Sequence, residues 1–201
     1  MSAQAVKLLK KDRRLAKIIS DVGQYKINLV KNPYESLIEA IITQQLSGKA
    51  AESISKKFRK IYGKFPKPSD VIKTPDSKIR SAGLSGMKVT YIKDLSKKIV
   101  SKELRINSLK NMTDDEVILQ LTQIKGIGRW TAEMFLIFSL GRLDVLPVGD
   151  LGLRKGVQML YSLSDLPQKS EIEIIAEKWR PYRTVATWYI WKSLSQFDKI
   201  G

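Results

Sequence analysis

The sequence predicts an all-α protein of ten or so short helices. Apolar residues recur at helical spacing in almost every segment. Helix-start signals stand at the head of several of these segments. Nowhere do apolar and polar residues alternate in twos for long enough to build a sheet. No repeat, low-complexity tract or long linker interrupts the pattern.

The elements follow in order. Val6 to Ile19 carries apolar residues at positions 8, 9, 15, 18 and 19 among lysines, and predicts one helix. Asn32-Pro33 starts a helix with Tyr34, Leu37, Ile38, Ile41 and Ile42 on one face. A third helix runs from about Gly48 to Tyr62 and stops at Gly63, and Pro66 and Pro68 mark the following loop. Thr74-Pro75 reads as an N-cap with proline at the first helical position. Met87 to Val100 is amphipathic, with Tyr91, Ile92, Leu95 and Ile99 facing inward. Thr113-Asp-Asp-Glu116 is a capping box, and Val117, Ile118, Leu121 and Ile124 form the buried stripe of the helix it starts. Pro147 breaks the chain before a helix ending near Tyr161. Ser170-Glu-Ile-Glu173 reads as a second capping box, and Pro181 precedes a last helix rich in aromatics.

Composition narrows the chemistry. The 201 residues suffice for one large or two small cores, and a hydrophobic share of 43% excludes a disordered tail. Thirty-six Lys and Arg against 20 Asp and Glu give a net charge of +16, which suits a polyanionic partner and equally a merely soluble, lysine-rich surface. With no cysteine there is no disulfide, thiolate zinc site or iron–sulfur cluster. With no histidine the usual general base is missing, so catalysis must use carboxylates, Lys, Tyr, Ser or backbone groups. The Lys-rich N-terminus lacks an apolar signal core, and the longest apolar helix falls well short of the roughly 20 residues of a membrane span. An intracellular protein with no membrane contact is expected, in the cytoplasm or nucleoid of a prokaryote or the nucleus of a eukaryote.

Leu121-Thr-Gln-Ile-Lys-Gly-Ile-Gly-Arg-Trp-Thr-Ala132 is the most informative stretch. It reads as helix, tight glycine hairpin, helix. Gly126 and Gly128 let the backbone around Ile127 approach another molecule closely. The second helix opens just after Gly128, so its N–H groups and positive dipole end form an anion site, with Lys125 and Arg129 adding charge. Phosphate is the expected anion, held for position rather than for sequence. An ordinary tight helix–helix turn has the same Gly-x-Gly pattern. Ser85-Gly86-Met87-Lys88 is a weaker echo, which reads equally as a plain turn or a second phosphate contact. Asp150 stands 22 residues after Gly128, ahead of Leu151-Gly-Leu-Arg. Taken alone it is a good N-cap. A carboxylate there can also stabilise an oxocarbenium-like sugar and orient an attacking water.

These residues together resemble the helix–hairpin–helix DNA glycosylase superfamily, and within it the AlkA-like 3-methyladenine DNA glycosylases (the DNA-3-methyladenine glycosylase II type). The segment 121–140 followed by Leu146-Pro-Val-Gly-Asp150 carries the signature, and Ile41-Ile-Thr-Gln-Gln-Leu-Ser47 and Trp179-Arg-Pro-Tyr-Arg183 resemble two further motifs. The likeness spans roughly residues 30–195. It implies two helical subdomains, residues 1–30 with 136–201 and residues 31–135, with the active-site cleft between them. It implies Asp150 as the catalytic carboxylate, which leaves Asp144 structural. It implies a base pocket from Trp130 and Tyr182, with Tyr34 and Met134 as weaker candidates, while Trp188 and Trp191 belong to the core. Core packing is the ordinary use of such aromatics. Gln45 aligns with the wedge that fills the gap left by a flipped base, with Leu46 the neighbouring alternative and a buried polar pair the plain one. Lys49, Lys88, Arg129 and Arg154 are expected on phosphates. The backbone carbonyls of Thr122, Ile124 and Ile127 are expected to hold Na+ or K+ against a phosphate, and no other cofactor is required.

The implied partner is double-stranded DNA containing damaged bases, and a monomer is expected. The base must leave the duplex before its glycosidic bond is attacked. Alkylation at N3 or N7 makes a purine cationic. It then departs neutral and needs little help from an acid, which suits a site with one carboxylate and no histidine. Glycosylases that also cut the strand carry a Schiff-base lysine where Trp130 stands, so the reading is a monofunctional enzyme leaving an abasic site. The rival readings are a non-catalytic helix–hairpin–helix DNA-binding or damage-sensing protein, and a glycosylase-lyase.

Overall fold

The computed structural model describes residues 2–46 and 48–197, and every regular element among them is helical. The α-helices are α1 (Ser2–Leu9), α2 (Arg13–Val22), α3 (Pro33–Thr43), α4 (Gly48–Tyr62), α5 (Pro68–Lys73), α6 (Asp76–Arg80), α7 (Gly86–Val100), α8 (Asp114–Thr122), α9 (Arg129–Phe138), α10 (Leu151–Tyr161), α11 (Lys169–Ala176) and α12 (Arg183–Phe197). Two short 3-10 turns, Ile106–Asn111 and Glu177–Trp179, complete the set.

The chain divides into two compact units: residues 1–29 with 136–201, and residues 30–135. The first unit is centred on α12. Its helix buries Val185, Ala186, Tyr189 and Ile190 against Leu15 and Ile19 of α2 and Leu153 and Val157 of α10. Gly156 lets α10 and α12 close up, because a methyl group there would meet Ile190 Cγ2 at 2.1 Å. The second unit is centred on α7, which packs on α5 and α3. Its core includes Leu37, Ile38, Ile41, Phe58, Val89, Ile92 and Leu95.

The single helix expected over Val6 to Ile19 is instead two. Asp12 interrupts it, because its carboxylate accepts from the N–H groups of Arg14 (3.1 Å) and Leu15 (3.4 Å) and caps α2. The same carboxylate accepts from the hydroxyl of Tyr161, from Trp179 Nε1 at 3.1 Å and from Lys178 Nζ at 3.0 Å. Burial alone would raise its pKa, but these donors outweigh burial and hold it at about 2. Asp12 thus joins the N-terminal helices to α10 and the segment before α12.

Two cap readings also change. Thr74 closes the C-terminus of α5 and Pro75 is the N-cap of α6, not its first helical residue. The second capping box lies two residues earlier than Ser170–Glu173, where the Glu171 carboxylate accepts from the Gln168 N–H at 2.6 Å. The Thr113–Glu116 box forms as read, with Glu116 accepting from the Thr113 N–H at 2.7 Å.

Candidate functional site

The hairpin lies in the second unit. The capping box of α8 starts its first helix, and Leu121 and Ile124 anchor that helix in the core. Gly126 has φ +80°, in the left-handed region. A Cβ there would sit 2.1 Å from the Tyr91 ring, so the turn closes onto that ring only because the residue is glycine. Ile127 is buried, and its N–H donates to the Ile124 carbonyl at 3.1 Å. The N–H of Lys125 donates to Asp94 at 3.0 Å. After exposed Gly128, α9 begins with Arg129 and Trp130 facing solvent, Trp130 being 47% exposed. Arg129 pairs with Glu133 one turn on, at 2.9 Å. Lys125 is exposed beside the turn and Met134 half-buried further along α9. An exposed backbone loop opening a ten-residue helix between two basic residues is suited to an oxyanion.

The motif Ile41 to Leu46 ends α3 beside this hairpin, and Ser47 lies outside the described residues. Gln44 donates from Nε2 to the Gly126 carbonyl at 2.8 Å. Gln45 is exposed with φ +56°, a conformation non-glycine residues rarely adopt. Leu46 is 37% exposed, and its N–H returns to the Thr43 carbonyl. Lys88 was expected on a phosphate. Its ammonium instead donates to the carbonyls of Ile42 (2.8 Å) and Gln44 (2.7 Å), and its burial there lowers its pKa. Lys49 is exposed on α4.

Tyr34 does not belong to a base pocket. It is 5% exposed, its hydroxyl bonds Ser96 Oγ at 2.7 Å and its ring meets Phe65 edge-on. Apolar spacing on α3 brought it into the core, as it did Leu37 and Ile41.

Asp150 lies in the first unit. The loop before it is pinned to α12: Thr184 donates its N–H to the Leu143 carbonyl at 2.9 Å and its hydroxyl to the Arg142 carbonyl at 2.8 Å. Asp144 is held by Arg183 (Nε to Oδ1, 2.8 Å) and by Arg180 (3.1 Å), in a structural role. Two tight turns, Leu146 to Val148 and Pro147 to Asp150, then deliver Asp150 to the head of α10. It is half-buried there. Its Oδ1 accepts from the Leu153 N–H at 2.7 Å and from Trp191 Nε1 at 2.8 Å. Both readings of Asp150 are therefore compatible: the N-cap bond orients the carboxylate rather than hiding it.

Trp191 departs from the core role expected of it. It is half-buried, stacks on Phe138 at 6.2 Å and donates its one N–H to Asp150. No local signal marks it, since the two residues are 41 positions apart. Trp188 is buried in the core as expected. Tyr182 is half-buried and packs on that core, and Arg154 donates to the Pro167 carbonyl at 3.0 Å. Of the expected residues, the second unit thus joins the turn at Gln45 to the hairpin, and the first places Asp150, Arg154 and Tyr182.

The hairpin and the loop ending at Asp150 both fall within residues 38–181, which match the profile of the HhH-GPD superfamily base excision DNA repair proteins. The chain belongs to the HhH-GPD superfamily. It is 38% identical to the DNA-3-methyladenine glycosylase 1 of Schizosaccharomyces pombe over 193 residues, covering 93% of this chain and 85% of that one. The solved structure of an S. pombe 3-methyladenine DNA glycosylase in complex with abasic DNA superposes with a TM-score of 0.87 at 37% identity, over 96% of this chain and 97% of that one. A DNA-3-methyladenine glycosidase from Bacillus halodurans superposes equally well, with a TM-score of 0.87 at 39% identity, over 96% and 89% of the two chains. This HhH-GPD member is a base excision repair DNA glycosylase of all-helical fold. None of the helices described in it is long and apolar enough to cross a membrane.

Proposed function

We propose that this protein is a monofunctional DNA glycosylase that excises alkylated purines, 3-methyladenine and 7-methylguanine among them, from double-stranded DNA and leaves an abasic site. The observation that carries this reading is the oriented Asp150 carboxylate, held by Leu153 and Trp191 in a chain so similar to a 3-methyladenine glycosylase solved on abasic DNA.

The helix–hairpin–helix takes one DNA phosphate on the backbone of Gly126, Ile127 and Gly128, with Lys125 and Arg129 adding charge; Lys49 and Arg154 meet others. Gln45 enters the duplex as the base turns out, with Leu46 beside it, and Trp130, Tyr182 and Met134 offer surface to the cationic base. The C1′–N bond breaks and its electron pair leaves with the base, which becomes neutral. Asp150 stabilises the positive sugar and takes a proton from the water whose oxygen bonds C1′. Trp130 is no amine, so no Schiff base forms at that position.

The hairpin carbonyls also suit a monovalent cation. They are neutral oxygens, and that of Ile124, which accepts one N–H, keeps a second lone pair. Thr122, Ile124 and Ile127 would hold Na+ or K+ there, which would offset phosphate charge. The protein acts as a monomer inside the cell.

The test is incubation with DNA bearing 3-methyladenine or 7-methylguanine. Free base is expected, with none from Asp150→Asn and no covalent adduct after borohydride. Undiminished release by Asp150→Asn would defeat the mechanism. Tight binding of abasic DNA with no release would leave a DNA-binding module.

A further inference from the structure

The wedge turn and the glycine hairpin are more than 80 residues apart in sequence, yet one face of α7 holds both. Lys88, Tyr91 and Asp94 stand at successive three-residue intervals on that face. Lys88 grips the carbonyls of Ile42 and Gln44 at the end of α3. Tyr91 fills the space beside Gly126, and Asp94 accepts from the Lys125 N–H. Gln44 closes the circuit with its bond to the Gly126 carbonyl.

The end of α3 shows why Lys88 matters. α3 does not itself end in the left-handed region, because its C-cap Gln44 is extended at φ −50°, ψ 128°. Gln45 follows at φ +56° in a tight turn closed by the Leu46 N–H on the Thr43 carbonyl at 3.2 Å, a position that usually takes glycine. The carbonyls on its N-terminal side are satisfied by a cation from another helix, the charge a helix C-terminus favours. Ser85 caps α7 by accepting the Lys88 N–H at 3.3 Å, which fixes the turn from which Lys88 reaches.

We propose that Lys88 is a positioning residue for base flipping: it holds Gln45 in its wedge conformation and, through α7, joins the wedge turn to the hairpin that grips the backbone. The inference rests on Gln45 being the wedge. It replaces the phosphate contact that the sequence suggested for Lys88.

The experiment compares wild type, Lys88→Met, Lys88→Arg and Gln45→Ala on a duplex carrying one 7-methylguanine with 2-aminopurine beside it. At saturating enzyme, Lys88→Met is expected to slow single-turnover release roughly tenfold and to blunt the fluorescence rise of flipping. Its affinity should stay within about twofold of wild type, and the slope of log affinity against log salt should not change. Lys88→Arg, which can reach both carbonyls, should restore most of the rate. If Lys88→Met melts below the assay temperature, Lys88→Gln, which keeps a donor, is read the same way. A salt slope smaller by about one with an unchanged saturated rate would make Lys88 a phosphate contact and overturn the proposal. Slow Gln45→Ala beside normal Lys88→Met would overturn it while leaving the wedge in place. Normal flipping and release by Gln45→Ala would remove the wedge itself, and the proposal with it. The fluorescence arm needs no base release, so it reads independently of the excision chemistry.

Discussion

The indole N–H of Trp191 donates to Oδ1 of Asp150 at 2.8 Å, on the same oxygen that takes the Leu153 N–H at 2.7 Å. Two donors from different helices therefore set the direction of one carboxylate. The N-cap bond ties Asp150 to α10, and the indole ties it to α12, whose stacking on Phe138 keeps the ring in plane.

Trp191→Phe keeps an aromatic ring against Phe138 but removes the N–H. A hydrogen bond to a charged group contributes about 1.5–3 kcal/mol, so kcat should fall roughly tenfold to a hundredfold with KM little changed. Single-turnover release and a binding isotherm would separate the two. An unchanged kcat would show that the Leu153 bond alone suffices to orient Asp150.

Gly152 stands against this pair. A Cβ there would lie 3.1 Å from Asp150 Oδ1 and 3.2 Å from Trp191 Cδ1. Gly152→Ala is expected to displace the indole by a few tenths of an ångström and to lower kcat by about tenfold, with Tm changed by only a few degrees. A variant with wild-type kcat would mean that the ring yields without losing its bond.

Gly126→Ala combines an unfavourable left-handed φ with a clash on the Tyr91 ring. It is expected to cost about 2–3 kcal/mol in stability. The loss of phosphate grip should weaken DNA binding about tenfold or more at moderate salt. Denaturant melts and fluorescence anisotropy on undamaged duplex measure the two effects. Binding as tight as wild type would exclude the hairpin from the DNA interface.

Tyr34→Phe should cost about 1 kcal/mol, the price of its hydrogen bond to Ser96, and should leave base release unchanged. A selective loss of release would return Tyr34 to the base pocket.

Asp12 predicts the acid limb of stability. Its pKa is about 2 in the folded protein against an ordinary 3.8, so the folded state binds this proton more weakly than the unfolded chain. Its contribution is complete above about pH 4 and is lost as pH falls toward 2. Asp12→Asn should accordingly lower Tm at neutral pH, and the gap from wild type should close between about pH 4 and 2. Asp12→Ala should cost on the order of 3 kcal/mol, because it removes a cap and strands the Tyr161 and Trp179 donors. A Tm gap independent of pH would show that the charge is not what holds these segments.

Much of this protein is local, and the local part was legible in the sequence. The all-helical class follows from the 3.6-residue spacing of residues such as Leu37, Ile38, Ile41 and Ile42. The Thr113–Glu116 box and the Asn32 cap form within four residues of chain. Where several starts compete within a few residues, as at Gln168 and Ser170 or Thr74 and Pro75, short-range pattern does not choose among them. Asp12 combines both kinds of contact: its Oδ1 caps α2 within three residues of chain, while its Oδ2 takes donors from Lys178, Trp179 and Tyr161 that no local pattern shows.

By itself the sequence determined the helices, the glycine hairpin and a carboxylate at the head of α10, because each depends on residues a turn or two apart. Only the tertiary structure decided that the Tyr34 hydroxyl meets Ser96, that Trp191 orients Asp150 and that Lys88 caps α3. Those roles depend on which side chains from distant segments meet. Hydrophobic spacing shows which face of a helix turns inward, but not which polar atom waits there.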